Sequence, residues 1–320
     1  MLGTSINGGV VLRIVLAALV FAILLVLPLF GPQLESPQSL AEHRQALSVS
    51  TVESGNGSTR FESWGDRRNP SIILIHSFNG FLETWQPNID ALVKAGYHVV
   101  AYDLFGRGLS DRPLRPLTLK VFHEQISTLR THLDIQTPMH LVGASFGAVI
   151  AADYALNHPE QVRSLVFSGP AGWPNTDDNT GKLIAMPYLA DMLFFYAGKP
   201  LLQSTIDTYL LDDREATWTS AYWKVYYQYA GVARSALSTL RHSPVLDYRH
   251  GWKKLGKTEI PTLFIWGRQD SSFPLSHTKE AEKLIPQAKI VALDSAEHWV
   301  NIDQASEANA AMIEFINAQR

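Results

Sequence analysis

Ser145 stands at the centre of Gly143-Ala144-Ser145-Phe146-Gly147, a Gly-x-Ser-x-Gly run with a short apolar stretch before it and a helical pattern after it. Such a run suits nucleophilic chemistry. A sharp strand-to-helix turn lifts the hydroxyl above a sheet, and the two glycines leave room for neighbouring backbone. The next amide, at Phe146, falls at the helix amino terminus, where a developing oxyanion is stabilised. A serine hydroxyl is a poor nucleophile until a base takes its proton and a carboxylate holds that base in one tautomer. Both partner types occur late in the chain. Thr262 to Trp266 runs into Gly267-Arg268-Gln269-Asp270, and Ile290 to Leu293 runs into Asp294-Ser295-Ala296-Glu297-His298. Asp270 and His298 are therefore the candidate carboxylate and base, giving the chain order Ser, Asp, His. Of the 11 histidines only His298 lies just past the last expected strand and ahead of a terminal helix. Asp294 reads as a turn residue.

These residues need elements to hold them. Leu47 to Val52 and Thr59 to Trp64 read as an opening hairpin. Short apolar runs follow at Ser71 to Ile75, His98 to Tyr102, Met139 to Val142, Ser164 to Phe167, Thr262 to Trp266 and Ile290 to Leu293. Helical patterns separate them at Thr84 to Ala95, Leu119 to Leu133, Phe146 to Asn157, His277 to Ile285 and Asp303 to Asn317. Strand alternating with helix implies an α/β fold: a mostly parallel, eight-stranded sheet with helices on both faces. In such sheets ligands gather at the carboxyl ends of the strands, where Ser145, Asp270 and His298 are expected. The alternation stops between Trp173 and Leu255, which reads as an inserted helical cap.

At this point the chain resembles the α/β-hydrolase superfamily, over roughly residues 58 to 320. The elbow at Ser145 carries the likeness, together with His76-Ser77-Phe78-Asn79-Gly80 after an early strand and Tyr102-Asp103-Leu104-Phe105-Gly106-Arg107-Gly108-Leu109-Ser110 after the next. The resemblance is to serine esterases and lipases with a helical cap, and it extends to membrane-associated monoacylglycerol lipases. It implies that the backbone N–H of Phe78 joins that of Phe146 in an oxyanion hole. Ser77 departs from the family's usual glycine. His76 is expected to be structural, and Asp103 with Gly106 and Gly108 to shape a turn. Family members that open epoxides or remove halides carry aspartate at the elbow, so Ser145 argues against both. The implied activity is hydrolysis of carboxylic esters, with C–C bond cleavage of diketone-type substrates and a non-catalytic ligand-binding module as the alternatives.

Composition narrows the field. A net charge of −3 gives no general electrostatic reason to seek nucleic acid. Without a cysteine, disulfides, thiolate metal sites and cysteine nucleophiles are impossible. Histidines and carboxylates do not recur at metal-ligand spacing, and Gly106-Arg107-Gly108 lacks the third glycine of a dinucleotide loop, so no metal and no cofactor are expected. The 173–255 insert holds 14 aromatic residues, which favours an apolar acyl ester or lipid as substrate.

Between Arg13 and Glu35 lie 21 residues without a formal charge. About 20 residues cross a hydrocarbon core of roughly 30 Å. The run reads as an uncleaved single-pass membrane anchor, with a cleaved signal peptide or a buried core helix as competitors. Arg13 and the free amino terminus ahead of it favour the amino terminus inside, with the bulk of the chain on the non-cytoplasmic side. The expected organisation is thus an anchor at 1–35, a linker and first strand at 36–57, a hydrolase core at 58–172 and 256–320, and the cap at 173–255.

Overall fold

A computed structural model of the chain describes residues 8–31, 38–174, 180–211 and 213–319. Helices α1 (Gly8–Val26) and α2 (Gln38–Leu47) come first, followed by strands β1 (Thr51–Ser54), β2 (Gly57–Trp64) and β3 (Ser71–Ile75). Then α3 (Gln86–Lys94), β4 (His98–Tyr102), α4 (Leu119–His132), β5 (Met139–Ala144), α5 (Phe146–Asn157) and β6 (Val162–Ser168) alternate. Among the described residues five helices intervene: α6 (Thr180–Ala185), α7 (Leu189–Ile206), α8 (Asp213–Tyr226), α9 (Val232–His242) and α10 (Arg249–Leu255). The chain returns through β7 (Thr262–Gly267), α11 (Thr278–Leu284), β8 (Lys289–Leu293), α12 (Val300–Asp303) and α13 (Ala305–Asn317). The strands form one sheet in the order β1-β2-β4-β3-β5-β6-β7-β8. The two pairings of β2 are antiparallel and the others parallel, as expected for a hairpin leading into crossovers.

Strands β3, β4 and β5 are buried at every position because both faces are covered, and they are apolar except at Ser71, His98 and His140 near their starts. Alternate residues divide between two cores. Ile73, Ile75, Val100, Tyr102 and Leu141 pack with Phe122 and Ile126 of α4 and Val149 of α5. Ile72, Leu74, Val99, Ala101 and Val142 pack on the opposite face with Ile89 and Leu92 of α3 and Met312 and Ile316 of α13. A third cluster lies where the cap meets the core. Phe194, Ile206, Trp223, Tyr226 and Tyr227 close over Phe81, Leu109 and Trp299.

Strand order reverses at β3. The chain leaves β3 towards β4 on one side, then crosses to β5 on the other, so the loops after β3 and β5 diverge. A crevice opens at such a switch point. Residues 76–80 and Ser145 emerge on either side of it. At its floor α5 approaches β3 so closely that a Cβ on Gly147 would stand 2.2 Å from the Ile75 carbonyl oxygen. Gly143 is under the same constraint, with a Cβ there 2.3 Å from Gly147 O.

Two expectations change at the amino-terminal end. The stretch 36–57, expected as a linker and first strand, contains α2, and the first strand starts at Thr51 instead of Leu47. Pro32, Pro37 and the polar composition conceal a helix that is held by tertiary contacts. Leu40 is buried, and the Arg44 guanidinium donates to Leu109 O and to Asp111 Oδ1 at 2.7 Å. The expected helix from Asp303 is two pieces, broken at Gln304, whose ψ of 53° lies outside the helical region. In α1, Leu16, Leu19, Phe21 and Ile23 are all more than half exposed, which removes the core-helix reading of that run.

Gly147→Ala places a methyl against main chain that has no side-chain freedom to yield. It is expected to lower the unfolding free energy by about 1–3 kcal/mol, measured by urea denaturation against the parent protein.

Candidate active site

Ser145 joins β5 to α5 with φ 51° and ψ −115°, a conformation rare for a residue with a side chain. Strain of this kind costs on the order of 1–3 kcal/mol and persists only where neighbours over-determine it. Here they do. The Ser145 N–H donates to Ser168 O at the end of β6 (2.9 Å), and the Ser145 carbonyl accepts from Ala148 N–H (3.0 Å) and Ala171 N–H (3.2 Å). Phe146, next in the chain, opens α5, and the first N–H of a helix has no intrahelical acceptor. Its ring packs edge-on against Phe122 and Phe78, at 5.4 and 6.5 Å between centroids.

Asp270 and His298 meet across β7 and β8. His298 Nδ1 lies 3.0 Å from Asp270 Oδ2, and both residues are buried. The other carboxylate oxygen accepts the Phe273 N–H at 2.8 Å, which fixes its rotation. With Nδ1–H committed to Asp270, the neutral ring presents Nε2 as an acceptor. The rings of Tyr209 and Phe273 flank the imidazole, with centroids at 4.9 and 5.6 Å. The His298 backbone reaches the end of β6, the same place that holds Ser145: a Cβ on Gly169 would stand 2.3 Å from His298 O. No hydrogen bond joins the Ser145 hydroxyl to the His298 ring among the described residues, and in unliganded sites that bond is often long. Asp294 lies elsewhere, exposed and 2.6 Å from Arg268 Nε.

Across the crevice, the loop 76–80 is pinned from four sides. His76 Nδ1 lies 2.7 Å from Ser77 O, and His76 Nε2 accepts the Leu104 N–H at 2.9 Å. Ser77 O also accepts the Gly80 N–H (2.9 Å). A planar trans peptide therefore turns the Phe78 N–H the opposite way, away from the His76 ring. The Phe78 carbonyl accepts from Arg107 Nε–H (2.8 Å), whose guanidinium lies 4.5 Å from the centre of the Phe78 ring. Asn79 ties the loop to the cap, donating to Thr205 Oγ1 (2.6 Å) and accepting from the Tyr227 hydroxyl (3.2 Å). The Ser77 hydroxyl accepts the indole N–H of Trp299 at 2.9 Å, a contact that a glycine could not make. His76 is structural, as expected. Asp103 likewise shapes a turn, accepting Leu82 N–H and Leu109 N–H at 2.8 Å each.

Two acids that sequence patterning passes over complete the scaffold. Glu297 is buried, with Oε1 accepting the Ser271 N–H (2.8 Å) and Oε2 the His298 N–H (2.5 Å), so one carboxylate ties the Asp270 loop to the His298 loop. Asp303 accepts the Glu297 N–H (2.8 Å) and, from the cap, the Leu211 N–H (3.1 Å). Tyr209 O accepts the Trp299 N–H at 3.0 Å. The only sequence signal was position, since Glu297 precedes His298. Among the described residues no three His, Asp or Glu side chains converge as a metal would require.

A family model described as alpha/beta hydrolase fold matches residues 70–305. An AB hydrolase superfamily protein, YfhM, of Bacillus subtilis is 25% identical over 80% of this chain and 93% of its own length. A 2-hydroxy-6-oxononadienedioate/2-hydroxy-6-oxononatrienedioate hydrolase of Comamonas testosteroni is 25% identical over 87% of this chain and 98% of its own. Among solved structures, an enol-lactonase from Burkholderia xenovorans superposes with a TM-score of 0.70 at 20% identity, covering 84% of this chain and all of that one.

Glu297→Ala strips the acceptor from two backbone N–H groups. A buried one left unpaired costs about 1–3 kcal/mol, so the variant should unfold at lower urea concentration than the parent. His76 gives a pH dependence: burial pushes its imidazole down to about 4 from the ordinary 6.5. The folded chain keeps the ring neutral where the unfolded chain protonates it. The stability at stake is complete above about pH 6.5 and lost as pH falls through about 4, on the order of 3 kcal/mol in all. Urea midpoints measured across that window should decline less steeply for His76→Gln than for the parent.

Proposed function

The chain belongs to the α/β-hydrolase family, and from that premise we propose that it is a serine hydrolase cleaving carboxylic esters through an acyl-enzyme. The observation that carries the reading is the buried Asp270–His298 pair at the carboxyl edge of the sheet, beside a serine held at positive φ. Ser145 Oγ attacks the ester carbonyl while His298 Nε2 accepts its proton. Asp270 holds the ring in that tautomer and stabilises the imidazolium that forms. The backbone N–H groups of Phe78 and Phe146 receive the oxyanion, and the buried Arg107 cation behind Phe78 adds favourable potential. His298 then returns the proton to the departing alkoxide, and the same base activates water to release the acid.

The cap supports an apolar acyl ester or lipid as substrate. Its aromatic side chains form the cluster above the core, and Tyr209 lies on the His298 ring. The apolar, exposed α1 supports a single-pass anchor, placing the bilayer beside the enzyme, with the catalytic body on the non-cytoplasmic side. In this reading 1–35 is the anchor, 36–57 the connection and first strand, 173–255 the cap, and 58–172 with 256–320 the catalytic core. A second reading, C–C bond hydrolysis of a diketone-type substrate, uses the same three residues. It draws support from the Comamonas testosteroni hydrolase that aligns along most of the chain.

A fluorophosphonate probe should label the parent protein at Ser145 and leave Ser145→Ala unlabelled. Ser145→Ala is expected to reduce kcat by as much as about 10⁶-fold, and Asp270→Asn by about 10⁴-fold. Near-normal esterase activity in Ser145→Ala would reject the mechanism, and failure of folded parent protein to label would favour a binding module. Medium-chain glycerides should be cleaved faster than short polar esters, whereas preferential turnover of a diketone in the same panel selects the second reading.

A further inference from the structure

A second cavity, of about 830 Å³, lies away from the crevice, where the end of the apolar N-terminal segment meets the cap. None of Ser145, Asp270, His298, Phe78 or Phe146 lines it. Pro28 and Leu29 make one wall, Phe194, Phe195 and Tyr196 of α7 a second, and Ala233 and Leu237 of α9 a third. The first two walls are joined. The Tyr196 hydroxyl donates to Leu24 O at 2.6 Å, and Phe195 packs so near Gly31 that a Cβ there would meet its ring at 3.3 Å.

Within these apolar walls stands Lys199. Its ammonium donates to the Gln228 carbonyl at 3.0 Å, and no carboxylate among the described residues pairs with it. The cavity's own acid, Asp191, is engaged by Arg241 at 2.8 Å. Partial burial and the nearby charge of Arg112 push the Lys199 ammonium below its ordinary pKa. The attraction of an anion beside it would oppose that shift, and the walls would accept a hydrocarbon chain.

We propose that this cavity binds an anionic amphiphile, with its head at Lys199 and its chain along Pro28, Leu29 and the aromatic face of α7. Two sources offer that chemistry: an acidic phospholipid of the bilayer, and a fatty acid released at Ser145. The hydrolase reading bears only on the source; the cavity itself needs only that Pro28 and Leu29 of the apolar segment are retained, as the anchor reading has it.

The test uses the full chain carrying Ser145→Ala in neutral-detergent micelles, so that its readout involves no turnover and its failure is distinct from failure of the hydrolase reading. A photoactivatable diazirine palmitate is compared with the matched fatty alcohol, and the cross-links are mapped by mass spectrometry. Palmitate should label peptides bearing Phe195 to Lys199 and Ala233 to Leu237. Lys199→Gln should weaken that labelling about 5-fold, the factor for one cation near a lipid head group, while Lys199→Arg retains it. Ala233→Trp, which fills the cavity from the other wall, should abolish labelling in protein that still unfolds cooperatively. Competition by phosphatidylglycerol identifies the bilayer lipid as a source, and competition by unlabelled palmitate with none by phosphatidylglycerol identifies the product. Equal labelling by the alcohol, insensitivity to Lys199→Gln, cross-links confined to the Ser145 crevice, or equal competition by phosphatidylcholine would each overturn the proposal.

Discussion

The positive φ of Ser145 is the constraint around which the rest is arranged. A left-handed backbone at a residue with a Cβ is unstable alone, so the elbow exists only because its flanks cannot relax. Gly147 seats α5 against the Ile75 carbonyl, Gly143 admits the return of Gly147, and Ser168 O holds the Ser145 amide. Each contact comes from a different strand end. The sheet must therefore be complete, from β3 through β6, before the hydroxyl is presented above it. The order reversal at β3 adds the crevice, and the same packing that strains the serine brings the Phe78 loop to face it.

A second principle joins the parts that the sheet does not reach. Loops at the carboxyl edge have backbone groups that must find partners once the cap covers them. Acidic side chains supply several of these. Asp103 serves Leu82 and Leu109, Glu297 serves Ser271 and His298, and Asp303 serves Glu297 and the cap residue Leu211. Asn79 and Tyr227 make the equivalent link on the other side of the crevice. The cap is thus fastened to both loops that flank Ser145 by directional bonds, and the apolar cluster of Phe194, Trp223 and Tyr226 fills the space between.

Much of this was legible in the sequence, for identifiable reasons. Fully buried strands such as Ser71–Ile75 read as unbroken apolar runs, and the elbow is a local motif whose geometry follows from five residues. That Asp270 and His298 come together follows from their places after strands, a rule of the topology. What escaped notice depends on partners distant in the chain. Glu297 has meaning only beside Ser271, and Ser77 beside Trp299. Helix α2 hid behind two prolines and a polar composition, because what holds it is Arg44 reaching Leu109 and Asp111 more than 60 residues away.

That clasp sets a length scale. Helix α2 is fixed to the catalytic body through Arg44, and only residues 32–37 separate it from the end of the apolar segment. At no more than about 3.6 Å per residue, such a connector reaches roughly 25 Å at full stretch, less than the thickness of a bilayer with its head groups. Under the proposed anchoring of the apolar segment, a body leashed so closely does not search a volume for its substrate. The same proposal confines it to a thin layer above the membrane, where the relevant concentration is the number of molecules per unit of surface.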